Sequence, residues 1–296
     1  MSPTLDWATH GRDWPNRATS RFVMAAGMRW HVQQTGDGPQ LLLIHGTGAA
    51  THSWRGLLPL LAQRFSIVAP DLPGHGFTEL PQPAALSLTG MADALQELLR
   101  VLGKNPDLVA GHSAGAAILA QLCLTERIAP RALISLNGAF LPFRGNWGPV
   151  FAPLSRFFSA TSLLPRLFAR VAEKQSVIEK LLLDTGSSVE PVGVQLYGRL
   201  ASNPGHVAGA LGMMANWDLR PLLRELPRLK PKLFLVAASN DRTIPAAEAT
   251  VVSARVPGAT LISQAGLGHL AHEERPQDTA DIVVNVARST GLLPAA

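Results

Sequence analysis

Three residues have the types and the order that nucleophilic chemistry needs: Ser113, Asp241 and His269. Ser113 lies in "DLVAGHSAGAAILAQL" (107–122), between Gly111 and Gly115, after a short apolar run and before a run of small residues. A neutral hydroxyl is a weak nucleophile. It needs a base to take its proton, and the base needs a carboxylate to hold its ring. The spacing Gly-x-Ser-x-Gly recurs by chance, so the weight comes from its context: a strand, a sharp turn and a helix that would present the hydroxyl at the turn. "LFLVAASNDRTIP" places Asp241 just after an apolar run, in a loop closed by Pro245, and "LISQAGLGHLAHEERP" places His269 in a glycine-rich loop after the next run. Asp is common in turns and a lone histidine is usually structural, but three such residues at three strand ends, in the order Ser, Asp, His, fit one mechanism. Ser113 is assigned as nucleophile, His269 as general base and then acid, and Asp241 as the orienting carboxylate.

That chemistry also needs two N–H donors for the developing oxyanion. One is expected at Ala114, directly after the serine. The second is expected at Thr47, in "LLLIHGTGAATHSW", where His45-Gly46-Thr47-Gly48 follows an apolar run. His45, His75 and His112 fall in turns near these loops and are read as braces. His269 and His272 are three apart, but H-x-x-H in a loop lacks the helix and the third ligand of a zinc site, so no metal is expected. Asp218 has no strand before it and is the weaker acid; Glu274 is read as fixing the His269 loop.

Placing these groups takes an alternation of elements. "RFVMA" and "MRWHVQQ" flank Ala26-Gly27 as a hairpin, and "QLLLIHG", "FSIVAPDLPGHG", "DLVAGH", "RALISLN", "KLFLVAA" and "ATLISQ" read as strands. "SWRGLLPLLAQ", "LTGMADALQELLRVLG", "AGAAILAQLCL" and "PQDTADIVVNVARSTG" have helical spacing. Alternating strands and helices predict an α/β fold with an eight-stranded, mostly parallel sheet covered on both faces. Between "SLNGAF" and "KLFLV", residues have little strand character and read as helices, predicting a helical cap inserted after the sixth strand, over the strand ends where ligands bind. The division expected is 1–139 for the first part of the core with an N-terminal arm, 140–217 for the cap and 218–296 for the rest of the core. Phe140, Trp147, Met213, Met214 and Trp217, with His45 and His112, are candidate pocket residues. Arg144, Arg156, Arg166 and Arg170 either solvate the outer cap face or pair with carboxylates of a large apolar ligand; the sequence leaves both open.

The chain has 296 residues, enough to bury a large core, and its 47% apolar and 16% charged content argue against disorder. Its 26 basic and 21 acidic residues give a formal charge of +5. Without a dense basic run or a nucleic-acid motif, this charge does not point to DNA or RNA, and it suits an anionic ligand, a membrane surface or plain solubility equally. The one cysteine, Cys123, is expected to be a buried apolar residue. No signal segment or membrane span is apparent, which predicts a cytoplasmic protein with peripheral membrane contact left open.

"APDLPGHG", "GHSAGAAI", "NDRTIP" and "GLGHLAHEERP" resemble the α/β-hydrolase superfamily over nearly the whole chain. More narrowly, "HGTGAATHSWRGLLPLLA", "SLNGAFLPF" and "NPGHVAGALGMMANWDLRPL" resemble the BchO-type magnesium-chelatase accessory proteins of bacteriochlorophyll synthesis. The resemblance implies a photosynthetic bacterial setting, a link to magnesium insertion into a porphyrin, and chelatase subunits as partners. The triad pattern carries over onto Ser113, Asp241 and His269. No G-x-x-x-x-G-K-[ST] loop is present, so ATP use is not expected, and no cofactor is. Two functions follow: a serine hydrolase for an ester, or a related acyl bond, of a hydrophobic substrate in magnesium-tetrapyrrole synthesis, or a non-catalytic accessory that binds a porphyrin for the chelatase.

Overall fold

The computed structural model describes residues 4–142 and 163–295. Eight strands form one sheet: β1 (Ser20–Ala25), β2 (Met28–Thr35), β3 (Gln40–Ile44), β4 (Ser66–Pro70), β5 (Leu108–His112), β6 (Ala132–Leu136), β7 (Lys232–Ala238) and β8 (Thr260–Gln264). Their order is β1-β2-β4-β3-β5-β6-β7-β8. β2 runs antiparallel to both of its neighbours and all other pairs are parallel. The first two strands are joined by Ala26 and Gly27, both at positive φ (51° and 71°), which matches the twist of a two-residue hairpin.

Alternation along the strands feeds two cores. In β3, Leu41 and Leu43 pack on one face with Trp54, Leu57, Leu61 and Val283. Leu42 and Ile44 face the other, with Met91, Leu95, Ile118 and Leu119. The first face is covered by α2 (Leu57–Leu61) and α12 (Pro276–Ser289), the second by α3 (Leu88–Leu102) and α4 (Ala114–Leu124), where α1 is Trp7–His10. α3 starts on Ser87, whose hydroxyl accepts the Gly90 N–H at 3.1 Å, and ends on Gly103 at φ 62°. α4 is buried nearly all round, so it carries no polar stripe, and burial pushes the Cys123 thiol up to about 12.

Between β6 and β7 the described chain is helical: α5 (Leu163–Ala172), α6 (Gln175–Asp184), α7 (Pro191–Ala201), α8 (Pro204–Ala215) and α9 (Arg220–Glu225). α10 (Ala246–Ser253) and α11 (Ala271–Glu274) follow β7 and β8. Among the described residues no helix is long and apolar enough to cross a membrane.

Candidate active site

Ser113 occupies the turn between β5 and α4 at φ 50°, ψ −119°, a conformation that L-residues adopt only when held there. It is held. Its N–H donates to the Leu136 carbonyl at 3.0 Å, and its own carbonyl accepts from Ala116 (3.2 Å) and Ala139 (3.0 Å). The flanking glycines are steric requirements: a Cβ on Gly115 would lie 2.2 Å from the Ile44 carbonyl oxygen, and one on Gly111 2.5 Å from the Ala116 nitrogen. Ala114 is the first residue of α4, so its N–H has no acceptor within the helix. Gly46 packs so closely that a Cβ there would sit 3.0 Å from the Ser113 Cβ, which brings the Thr47 stretch beside the elbow. The Thr47 hydroxyl donates to the Met213 sulfur of α8 at 3.4 Å.

Asp241 follows β7 and is buried. Its Oδ1 accepts the N–H groups of Thr243 and Ile244, both at 2.8 Å, and its Oδ2 accepts the His269 Nδ1–H at 2.7 Å. With Nδ1 donating, His269 Nε2 keeps its lone pair. The ring is 7% exposed, so it still reaches the outside of the core. The His269 carbonyl is gripped by Asn137 Nδ2 at 2.9 Å and by His112 Nε2 at 3.0 Å, and the His112 and His269 rings are 4.6 Å apart. His112 directly precedes Ser113, so the Ser113 and His269 loops meet through this contact.

The helical segment between β6 and β7 touches the same loops. The Thr185 carbonyl accepts N–H groups from Arg242 (3.1 Å) and His269 (3.4 Å), and Ser187 Oγ accepts the Leu270 N–H at 2.8 Å. Glu274 spans loop and insertion: one oxygen accepts the Gly268 N–H at 2.8 Å, the other the Ser188 N–H at 3.2 Å. Nearby, the buried Glu273 accepts from the Tyr197 hydroxyl of α7 at 2.6 Å and from the Arg55 guanidinium.

The remaining histidines act as braces or packing. His45 donates from Nδ1 to the Gly46 carbonyl (2.8 Å) and accepts the Leu72 N–H at Nε2 (2.9 Å). His75 donates to the Pro73 carbonyl at 3.0 Å. His272 packs at a tilt against His112 and Trp54, and burial pushes it down to about 3. Among the described residues no cluster could hold a metal ion. Asp218 is exposed and paired with Arg220 at 2.8 Å.

Of the candidate pocket residues, Phe140 and Met213 are buried in the same core cluster, Trp217 packs against it, and Met214 is exposed. Trp147 lies outside the described residues, as do Arg144 and Arg156; Arg166 and Arg170 are exposed. Sequence reading missed Asn137, Thr185, Ser187 and the Glu273–Tyr197–Arg55 node. Asn137 alone left a trace, in Asn-Gly at the end of an apolar run. A second buried pair was missed too: His31 Nδ1 bonds Asp71 Oδ2 at 2.8 Å and its Nε2 meets Ser20 Oγ at 2.9 Å. Ser20 begins an edge strand, without a helix N-terminus behind it. Asp71 also takes the N–H groups of Thr51 and Phe77, so this pair braces a loop.

The α/β-hydrolase family model matches residues 41–282. The magnesium-chelatase 30 kDa subunit of Rhodobacter capsulatus is 39% identical over 88% of this chain and 92% of its own. A pimeloyl-[acyl-carrier protein] methyl ester esterase of Aeromonas hydrophila is 27% identical over 85% of this chain and 96% of its own. Among solved structures, an α/β-hydrolase fold protein from Burkholderia ambifaria superposes with a TM-score of 0.77 at 22% identity, covering 96% of this chain and all of the other. The sheet order, the serine turn and the match over most of its length agree: this chain belongs to the α/β-hydrolase family.

Proposed function

We propose that this protein is a serine hydrolase acting on an ester, or a related acyl bond, of a hydrophobic substrate in magnesium-tetrapyrrole metabolism. The observation that carries the reading is the His269–Asp241 bond, which sets the base's tautomer, at the end of the sheet where Ser113 is held in its strained turn. In this reading Ser113 Oγ attacks the carbonyl carbon while His269 Nε2 takes its proton. The N–H groups of Thr47 and Ala114 receive the oxyanion. The leaving alkoxide takes the proton from His269 and departs as the alcohol, leaving the acid esterified to Ser113. Water, deprotonated by His269, then attacks that ester, and the proton returns to Ser113 as the acid leaves. Met213, joined to Thr47, places the insertion against the oxyanion loop.

The substrate class rests on similarity to the Rhodobacter capsulatus chelatase subunit and to the Aeromonas hydrophila esterase. The chelatase similarity also favours a second reading, a porphyrin-binding accessory with chelatase subunits as partners, in the cytoplasm or at the face of the photosynthetic membrane. Reaction with a fluorophosphonate probe separates the two. Labelling that is lost in both Ser113→Ala and His269→Ala supports the hydrolase and directs a screen of tetrapyrrole esters. A folded protein that resists the probe yet shifts the absorbance of an added porphyrin supports the accessory.

A further inference from the structure

We propose that the outer face of α5 docks on an anionic lipid surface. Along this ten-residue helix, Pro165, Ala169 and Ala172 are buried at helical spacing, and α8 lies beneath. The rest of the circumference divides in two. Arg166, Arg170 and Lys174 recur every fourth residue on one flank, all exposed. Leu167 (59% exposed), Phe168 (44%) and Val171 (48%) form the other. The helix sequence LLPRLFARVA contains no acidic residue, and Glu173, just past its end, is the one carboxylate in the run 163–174.

The three cations have no carboxylate partner among the described residues, whereas Arg55, Arg127 and Arg199 are each paired across elements. An apolar row beside a row of unpaired cations matches an interface whose interior is hydrocarbon and whose rim is phosphate. A nucleic acid would use the cations and leave the apolar row in water. A second copy of the chain would cover the apolar row, but the patch would bring its own cations face to face. With no membrane-crossing helix among the described residues, the helix would lie flat on the bilayer. α8, on which it rests, carries the Met213 that meets Thr47 beside the serine turn, so the lipid surface would stand one helix away from the candidate site.

Sedimentation of the full chain with vesicles tests this without any turnover, so it stands or falls separately from the hydrolase reading. Binding is expected to vesicles of phosphatidylcholine and phosphatidylglycerol in equal parts, to weaken with salt, and to be absent from phosphatidylcholine alone. Arg166→Gln, Arg170→Gln and Lys174→Gln should each weaken partitioning about fivefold. Leu167→Ser with Phe168→Ser should abolish it. Arg64→Gln, an exposed cation near the N-terminal end of β3, should change it less than about twofold. Circular dichroism of each variant guards against unfolding. Equal loss in Arg64→Gln would overturn the proposal in favour of diffuse charge, and failure to bind the anionic vesicles would overturn it outright. A concentration-dependent dimer that Leu167→Ser dissolves would assign the face to a second copy instead.

Discussion

At the scale of single residues, the site depends on which groups tell His269 where to be and which nitrogen to protonate. Asp241 does the second, because its remaining oxygen is committed to two backbone N–H groups and the carboxylate cannot turn away. Asp241→Asn should therefore preserve the fold while slowing fluorophosphonate labelling by about 10⁴-fold, since an amide can donate to Nδ1 and force the wrong tautomer. Rapid-quench labelling beside a thermal melt checks this; an unchanged rate would remove Asp241 from the mechanism. Asn137 does the first. It donates to the Gly268 and His269 carbonyls and accepts the Ala238 N–H at 2.9 Å, tying β7 to the His269 loop. Asn137→Ala leaves buried backbone groups short of partners, an expected loss of about 2–4 kcal/mol in urea unfolding. A loss below about 1 kcal/mol would mean that water fills the gap without penalty.

At the scale of elements, the serine turn works because a strand and a helix meet almost backbone to backbone. Gly115→Ala would drive a methyl into the Ile44 and His45 carbonyl oxygens of the neighbouring strand end, 2.2 and 2.7 Å away. Neither can retreat without parting β3 from β5. A destabilisation of at least about 3 kcal/mol is expected, read as a lowered denaturation midpoint or loss of soluble protein. This junction was readable beforehand, since the glycines, the serine and both flanking elements occupy one short stretch of chain. The placement of Asp241 and His269 after β7 and β8 was readable for the same reason: each follows its own apolar run within a few residues. For Asn137 the Asn-Gly pair marks only a strand end; its meeting with His269, 132 positions away, was not readable. Nor was the Glu273–Tyr197 bond, 76 positions apart, which depends on where the inserted helices settle. Local chemistry shows in a sequence; the packing of one segment on a distant one does not.

At the scale of the whole molecule, the outstanding property is a population of buried neutral histidines. Burial lowers His45, His52, His75 and His112 below their ordinary value of 6.5, lowers His206 to about 4 and His272 to about 3. Each binds a proton in the unfolded chain before it does in the folded one. Stability is therefore retained above pH 6.5 and drains away as the pH falls from 6.5 toward 4, by up to about 1.4 kcal/mol per unit for each such group. Unfolding free energies from urea titrations at pH 7.5, 6.5 and 5.5 should fall by growing steps, on the order of a few kcal/mol over the last unit. A flat series would mean that these rings titrate freely in the native state. The Thr185 carbonyl, shared between the Asp241 and His269 loops, bears on how this scaffold could be recombined. Because that acceptor is a main-chain oxygen, grafting the helical segment of a relative onto this core would displace it wherever the foreign backbone takes another path, and misalign two loops at once. A working chimera would have to keep 185–188 with the recipient, putting the junctions inside what looks like one continuous module.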